Sequence, residues 1–138
     1  MIHLIFVYGT LMRGLRNHHL LAHARFVRDD KTAELFTLLD FGRYPAVVPS
    51  KRDPISGELY EVDDDTLATL DALERYPQWY DRIQVPLSGG GRAWLYVFTH
   101  SPDAEGVAYS VVPGGAWMPA LVAQGRLDDQ RPGGLWSR

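Results

Sequence analysis

The chain of 138 residues predicts an α+β fold built on a curved or closed sheet. Three observations carry that expectation. Short runs rich in β-branched and aromatic residues recur from the first residues to about residue 99. Only one segment, 64–76, has a clear helical period. A Ser88-Gly89-Gly90-Gly91 turn separates two apolar runs as a hairpin does. Many strands with one good helix give this class.

The elements follow in order. IHLIFVY (2–8) is a buried first strand that ends at Gly9. GTLMRGLRN is a loop, and HHLLAHA (18–24) a short helix. ARFVRDD and KTAELFTLLD are strands, expected to be split by a polar turn at Asp29-Asp30. FGRYPAVVPS is a loop with a short strand at its centre. ISGELYEVD (55–63) alternates as a strand with one wetter face. The 64–76 helix follows, then the RIQVPLS and RAWLYVFT hairpin. SPDAEGVAYSVVPGGAW reads as loop and MPALVAQGRLDD as a short helix. One domain is expected over 1–120, with 121–138 a tail that either packs on it or hangs free; RPGGLWSR at its end reads as loose.

Composition narrows the function classes. The hydrophobic fraction of 46% and charged fraction of 22% are those of a soluble globular chain. A net charge of -3 argues against a nucleic-acid surface. The chain has no cysteine, which excludes a disulfide framework, a thiol nucleophile and cysteine-ligated zinc. No run approaches the roughly 20 apolar residues of a membrane helix, and MIHLIFVY lacks the marks of a signal peptide. The expected location is the cytoplasm, with no membrane partner.

One residue on the helix is out of place. With Leu67 at zero and about 100° per residue, Leu70 falls near 300° and Leu73 near 240°, an apolar stripe. Glu74 falls near 340°, between Leu67 and Leu70. The three aspartates at 63–65 are cap and first-turn acids, and Pro77 marks the helix end. A carboxylate on the leucine face either finds partners or raises its pKa. From the helix alone, the simpler role is a tether to Arg75, Arg82 or a tyrosine hydroxyl. The other is a proton shuttle near neutral pH.

A second stretch, VYGTLMRGLRNHHLL (7–21), runs a buried strand straight into Gly9-Thr10. Such a turn leaves backbone amides accessible, and these can bind a carboxylate or an oxyanion. The spacing is neither the dinucleotide fingerprint nor the P-loop.

Taken together the two stretches are specific. F-V-Y-G-T-L-M-R-G (6–14) with N-H-H-L-L (17–21), G-E-L-Y-E-V-D (57–63), L-D-A-L-E-R-Y-P-Q-W-Y-D-R (70–82) and A-W-L-Y-V-F (93–98) occur in one order. The chain resembles the gamma-glutamylcyclotransferase superfamily over roughly residues 2–118, in particular its avirulence-induced-protein-like and gamma-glutamylaminecyclotransferase branch. The resemblance implies a small mixed β-barrel flanked by helices. It implies a reaction in which the α-amine of a γ-glutamyl group attacks its own γ-carbonyl, closes 5-oxoproline and frees an amine. It implies no metal and no organic cofactor, and a small-molecule γ-glutamyl substrate as the partner. On this likeness Tyr8, Gly9, Thr10 and Leu11 hold the glutamyl moiety, Glu74 is the catalytic glutamate and Tyr80 lines the pocket. The resemblance reverses the balance on Glu74 towards catalysis. G-G-A-W (114–117) carries Ala116 where relatives often have an acid.

Other candidates are weaker. His19 and His23 have a metal-pair spacing without a third ligand. No G-x-S-x-G elbow exists. Arg13 and Arg16 flank the expected pocket, Asn17-His18 shapes its wall, and Trp117 is a candidate to close one side. Arg82 is a candidate partner for Glu74. Two non-catalytic readings stay open: a module that binds a small acidic or glutamyl ligand, and a regulatory domain in which Glu74 anchors the helix. The oligomeric state and the leaving amine are not legible.

Overall fold

The computed structural model describes residues 1–130. The tail RPGGLWSR lies outside the described residues.

The structure has an α+β architecture with two sheets. Strand β1 (His3–Val7) is apolar because it runs through the middle of the larger sheet, where Ile5 and Phe6 are fully buried. It pairs antiparallel with β5 (Ser56–Val62) and parallel with β7 (Arg92–Phe98). Strand β2 (Arg25–Lys31) lies outside β5, and β6 (Tyr80–Pro86) outside β7, giving the order β2-β5-β1-β7-β6. The smaller sheet is β4-β3-β8, from β3 (Phe36–Asp40), β4 (Pro45–Pro49) and β8 (Ser110–Val111). Helices α1 (Asp64–Leu73) and α2 (Trp117–Ala123) flank the sheets.

The two outer strands of the large sheet do not stay open. Ser88 N donates to Lys31 O at 2.8 Å and Ala33 N to Pro86 O at 2.9 Å, with a bridge between Thr32 and Leu87. The tip of the β6–β7 hairpin therefore meets the end of β2 and closes the sheet, which satisfies edge groups that would otherwise stay unpaired. The triple-glycine turn serves this closure as well as the hairpin. Gly89 N donates to Asp30 Oδ1 at 2.9 Å, and Gly90 O accepts from Arg28 at 2.7 Å.

Three sequence expectations are corrected here. Asp29-Asp30 is no turn; β2 runs through both, and the break comes after Lys31. Asp30 tolerates a strand because its carboxylate accepts from Lys31 N, Gly89 N and Arg28 Nε; burial opposes ionisation, but these donors win and hold its pKa below the usual range. Strand β5 has no wet face at its centre. Glu58 is buried there, bonded by Arg13 N and Nε and by the Tyr60 hydroxyl at 2.8 Å. Finally, the helix stops at Leu73, three residues short of Tyr76.

That early stop has a clear geometry. Asp63 caps the start, accepting from Thr66 N at 2.7 Å. At the other end Tyr76 N donates to Asp71 O and Arg75 N to Ala72 O, the paired bonds of a Schellman ending. The position after the cap is normally glycine; here it is Arg75, at φ 50°. A left-handed non-glycine residue costs roughly 1–2 kcal/mol. The Arg75 guanidinium lies 4.8 Å from the Trp79 ring centroid, a contact that offsets part of that cost. The cap itself is Glu74.

Residues 121–130 pack on the domain. Leu121 and Gln130 are fully buried, and Arg126 pairs with Asp40 at 2.6 Å and donates to Gly42 O. Among the described residues no helix is long and apolar enough to cross a membrane.

The close approach of β5 to the end of β1 depends on Gly57. A Cβ there would stand 2.2 Å from Val7 O and 2.9 Å from the Phe6 ring. Gly57→Ala is expected to lower unfolding free energy by about 1–3 kcal/mol or more, read by urea denaturation.

Candidate active site

Strand β1 ends at Val7, and the chain turns through Tyr8, Gly9, Thr10 and Leu11. Gly9 has no unusual φ; its absent side chain makes room for the Pro45 ring, which an added Cβ would meet at 2.7 Å. The turn closes with Met12 N donating to Gly9 O and Asn17 N to Thr10 O. The Asn17 side chain donates to Thr10 Oγ1 at 2.9 Å. Among the described residues no protein group accepts the amide protons of Gly9, Thr10 or Leu11. Successive amides without a protein acceptor can bind an anion.

These residues line one cavity of about 210 Å³. All six residues named by the sequence border it: Tyr8, Gly9, Thr10, Leu11, Glu74 and Tyr80. Arg16, Asn17, Tyr44, Pro45, Trp79 and Tyr96 complete much of the wall. Tyr8 contributes its ring only. Its hydroxyl donates to Tyr96 O at 2.9 Å and receives Val47 N at 3.2 Å, joining β1, β7 and β4. Burial, then the nearby charge of Glu74, hold that phenol well above its usual pKa. Tyr80 opens β6 and packs on Phe98, ring centroids 5.4 Å apart.

Glu74, the C-cap residue of α1, borders the same cavity. It keeps some solvent contact through the cavity, but its carboxyl is desolvated and its pKa is pushed up to about 7. The cause is burial, and among the described residues no cation opposes it. Each partner that the tether reading offered is engaged elsewhere. Arg75 lies on Trp79. Arg82 grips both oxygens of Asp71, at 2.9 and 3.2 Å. The Tyr96 hydroxyl donates to Asp71 at 2.6 Å. Among the described residues nothing hydrogen-bonds the Glu74 carboxylate.

Asp71 and Tyr96 were not singled out from the sequence. The available signal was the i, i+3 relation of Asp71 to Glu74, which puts both on neighbouring faces of α1. In A-W-L-Y-V-F the alternation also puts Trp94, Tyr96 and Phe98 on one side of β7. Arg82 is sandwiched between Tyr76 and Trp94, with centroids at 4.5 and 4.4 Å.

The remaining candidates separate. Arg16 lines the cavity, donating to Arg43 O and Gln130 Oε1, and desolvation with the nearby Arg43 lowers its pKa. Arg13 turns away to Glu58 and Asp29. Asn17 borders the cavity, whereas His18 bonds Leu11 O behind it. Trp117 is corrected: it is fully buried and borders no part of this cavity. It lies, with Ala116, along a second and more open hollow of about 630 Å³. That hollow is larger, but its acids are committed. Glu58 is bonded to Arg13 and Tyr60, and Asp30 to Arg28 and two amides. Chemistry belongs where a carboxyl is desolvated and unpaired. Among the described residues no cluster of His, Cys, Asp or Glu could hold a metal ion.

Comparison with known proteins gives the family. The family model described as gamma-glutamyl cyclotransferase, AIG2-like, matches residues 5–119. The chain belongs to that family. A Vibrio cholerae protein provisionally named a gamma-glutamylcyclotransferase is 39% identical over 117 residues, 83% of this chain and 95% of its own. The mouse AIG2-like protein has a solved structure that superposes with a TM-score of 0.67 at 32% identity, covering 79% of this chain and 86% of that one. An uncharacterized Pyrococcus horikoshii protein superposes at a TM-score of 0.74 and 26% identity, over 89% and 96% of the two chains.

A raised carboxyl pKa makes stability depend on pH with a definite sign. Between the ordinary value of 4.5 and about 7 the folded state holds a proton that the unfolded state has lost. Stability contributed by protonated Glu74 is thus full below about 4.5 and is lost as pH rises through about 7. Glu74→Gln is expected to gain about 1–3 kcal/mol over the parent at pH 8 and little at pH 4.5, read by denaturation at both pH values.

Proposed function

We propose that this protein is a γ-glutamyl cyclotransferase that releases 5-oxoproline and a free amine from a γ-glutamyl amine or peptide. The observation that carries the reading is a single cavity with a desolvated, unpaired carboxyl on one wall and unclaimed backbone amides on another.

The mechanism follows from these groups. The α-carboxylate of the glutamyl moiety sits on the turn at Gly9, Thr10 and Leu11, where amides supply donors without a competing side chain. Glu74, ionised, removes a proton from the α-ammonium, which cannot attack while charged. The freed amine lone pair forms a bond to the γ-carbonyl carbon, and the carbonyl electrons move to oxygen. An amide N–H of the turn that the α-carboxylate leaves unused stabilises that developing oxyanion. When the oxyanion collapses, the bond from carbon to the departing nitrogen breaks. Glu74 returns its proton to that nitrogen and then takes the second proton from the ring nitrogen, which passes to the released amine. The lactam is left neutral, the amine departs as an ammonium ion and the carboxylate is regenerated with no external reactant consumed. Ring closure is already intramolecular, so the protein supplies orientation and proton transfer. A pKa near 7 serves both directions of that transfer.

The test is 5-oxoproline release from a panel of γ-glutamyl amino acids, γ-glutamyl-ε-lysine and γ-glutamyl polyamines. The parent protein is expected to turn over at least one of them, with kcat falling about tenfold per pH unit below about 7. Glu74→Gln is expected to lose about 10²–10⁴ in kcat while binding 5-oxoproline within a few-fold of the parent. Normal turnover by folded Glu74→Gln would remove Glu74 from the mechanism. Binding of 5-oxoproline with no release from any substrate would favour a ligand-binding module.

A further inference from the structure

Glu74 is unpaired in a neighbourhood that contains a guanidinium and several tyrosines, and an unpaired carboxylate beside a free cation would not last. What keeps the cation away is visible. Arg82 reaches α1 from β6 and is held on Asp71 by both oxygens, at 2.9 and 3.2 Å. Both partners of this pair are largely shielded, with side-chain exposures of 14% and 21%, so the pair is only weakly screened. The guanidinium is fixed further between the rings of Tyr76 and Trp94. The Tyr96 hydroxyl belongs to a ring that lines the cavity, yet it donates to Asp71 at 2.6 Å rather than to Glu74. Tyr96 feels the negative charge of both carboxylates, which, after burial and its bond to Asp71, helps raise its pKa. So the donor closest in chemistry to Glu74 has been claimed by a neighbour one helical turn away.

We propose that Asp71 is the positioning residue of this site: by holding the Arg82 guanidinium and the Tyr96 hydroxyl, it leaves Glu74 free of partners and fixes the end of α1 so that Glu74 faces the cavity. The inference rests on the cyclotransferase reading for its consequence in catalysis, but its geometry stands without it. Asp71 touches no reacting atom. Its carbonyl also receives Tyr76 N in the helix ending, so one residue joins the backbone stop to the side-chain clamp. The other titratable groups facing the cavity are Tyr8 from β1, Arg16 from the first turn, Tyr44 before β4, Arg75 after α1 and Tyr80 from β6. Arg75 lies on Trp79, Arg16 bonds Arg43 O and Gln130, and the Tyr8 hydroxyl is spent between β7 and β4. Of these groups only Asp71 holds both a guanidinium and a hydroxyl at the end of α1 that carries Glu74.

The sign of two substitutions separates positioning from general support. Asp71→Asn removes the anion that holds Arg82 and leaves Glu74, three residues on, as the carboxylate at that end of α1 to which the released cation can turn. Arg82→Gln removes the cation and leaves Asp71 an uncompensated anion. The chain has five glutamates, so carboxyl-labelled glutamate resolves the Glu74 titration by carbon NMR without any substrate. The Glu74 midpoint is expected to fall by about one unit or more in Asp71→Asn and to rise by about half a unit or more in Arg82→Gln. Where turnover is measured, the acid limb of kcat moves with each midpoint, and kcat falls more than KM rises in Asp71→Asn. Local loosening alone would carry both midpoints the same way, towards the ordinary glutamate value, and would overturn the proposal. So would a midpoint unmoved in either folded variant. If Asp71→Asn does not fold, Arg82→Gln and its upward shift decide the matter alone. An absence of 5-oxoproline release by the parent would strike the functional reading, while the two NMR shifts would still decide the positioning role.

Discussion

The structure turns on one desolvated carboxyl kept without a partner. Burying a carboxylate is costly, and proteins ordinarily relieve the cost with a cation or with donors. Here three such groups are close in the chain or in space, and each is directed elsewhere. Arg75 goes to Trp79, while Arg82 and Tyr96 go to Asp71. The proton thus becomes the partner of Glu74, and a proton is a partner that can leave. A group that must give and take a proton needs that arrangement more than it needs a salt bridge.

The scaffold supplies what such a group requires, which is a fixed place. The cavity lies between the end of β1 and the end of α1, where two rigid elements present their terminal residues. The amides follow a strand whose last three residues are buried. The carboxyl comes from a helix that stops at a left-handed Arg75, a conformation tolerated because Trp79 packs on its guanidinium. The segment after α2 completes the far side. Gln130 bonds Arg16 and Gly42 O, and Arg126 holds Asp40 with Gly42 O, so the turn carrying Tyr44 and Pro45 is braced from behind. Beyond residue 120, Leu121 and Gln130 are fully buried.

Much of this was legible in the sequence, and for physical reasons. Alternation and β-branched runs located the strands because burial imposes a period of two. The leucine period located Glu74 on the inner face, and Gly9 marked the turn whose amides stay open. What the sequence hid was pairing across distance. Arg82 and Asp71 are eleven residues apart, on different elements, and Tyr96 lies on a third element. Nothing local tells Arg82 to choose Asp71 over Glu74. Asp29-Asp30 misled because two acids usually mean a turn, whereas here Asp30 accepts the glycine amide of a distant hairpin. Leu73 was expected in the buried stripe but is 40% exposed, since the helix ends there and its face is no longer covered. Trp117 was expected at the rim and fills the core instead, because α2 begins at that residue and turns its ring inward.

The central claim is that the open amides of the first turn and the Glu74 carboxyl face one ligand across one cavity. Its most direct test is a titration of the protein with 5-oxoproline followed by amide NMR shifts. The account predicts saturable shifts concentrated at Gly9, Thr10 and Leu11 and around Glu74. Shifts centred instead on the hollow beside Asp30 and Trp117, or no saturable shift at the first turn, would contradict it.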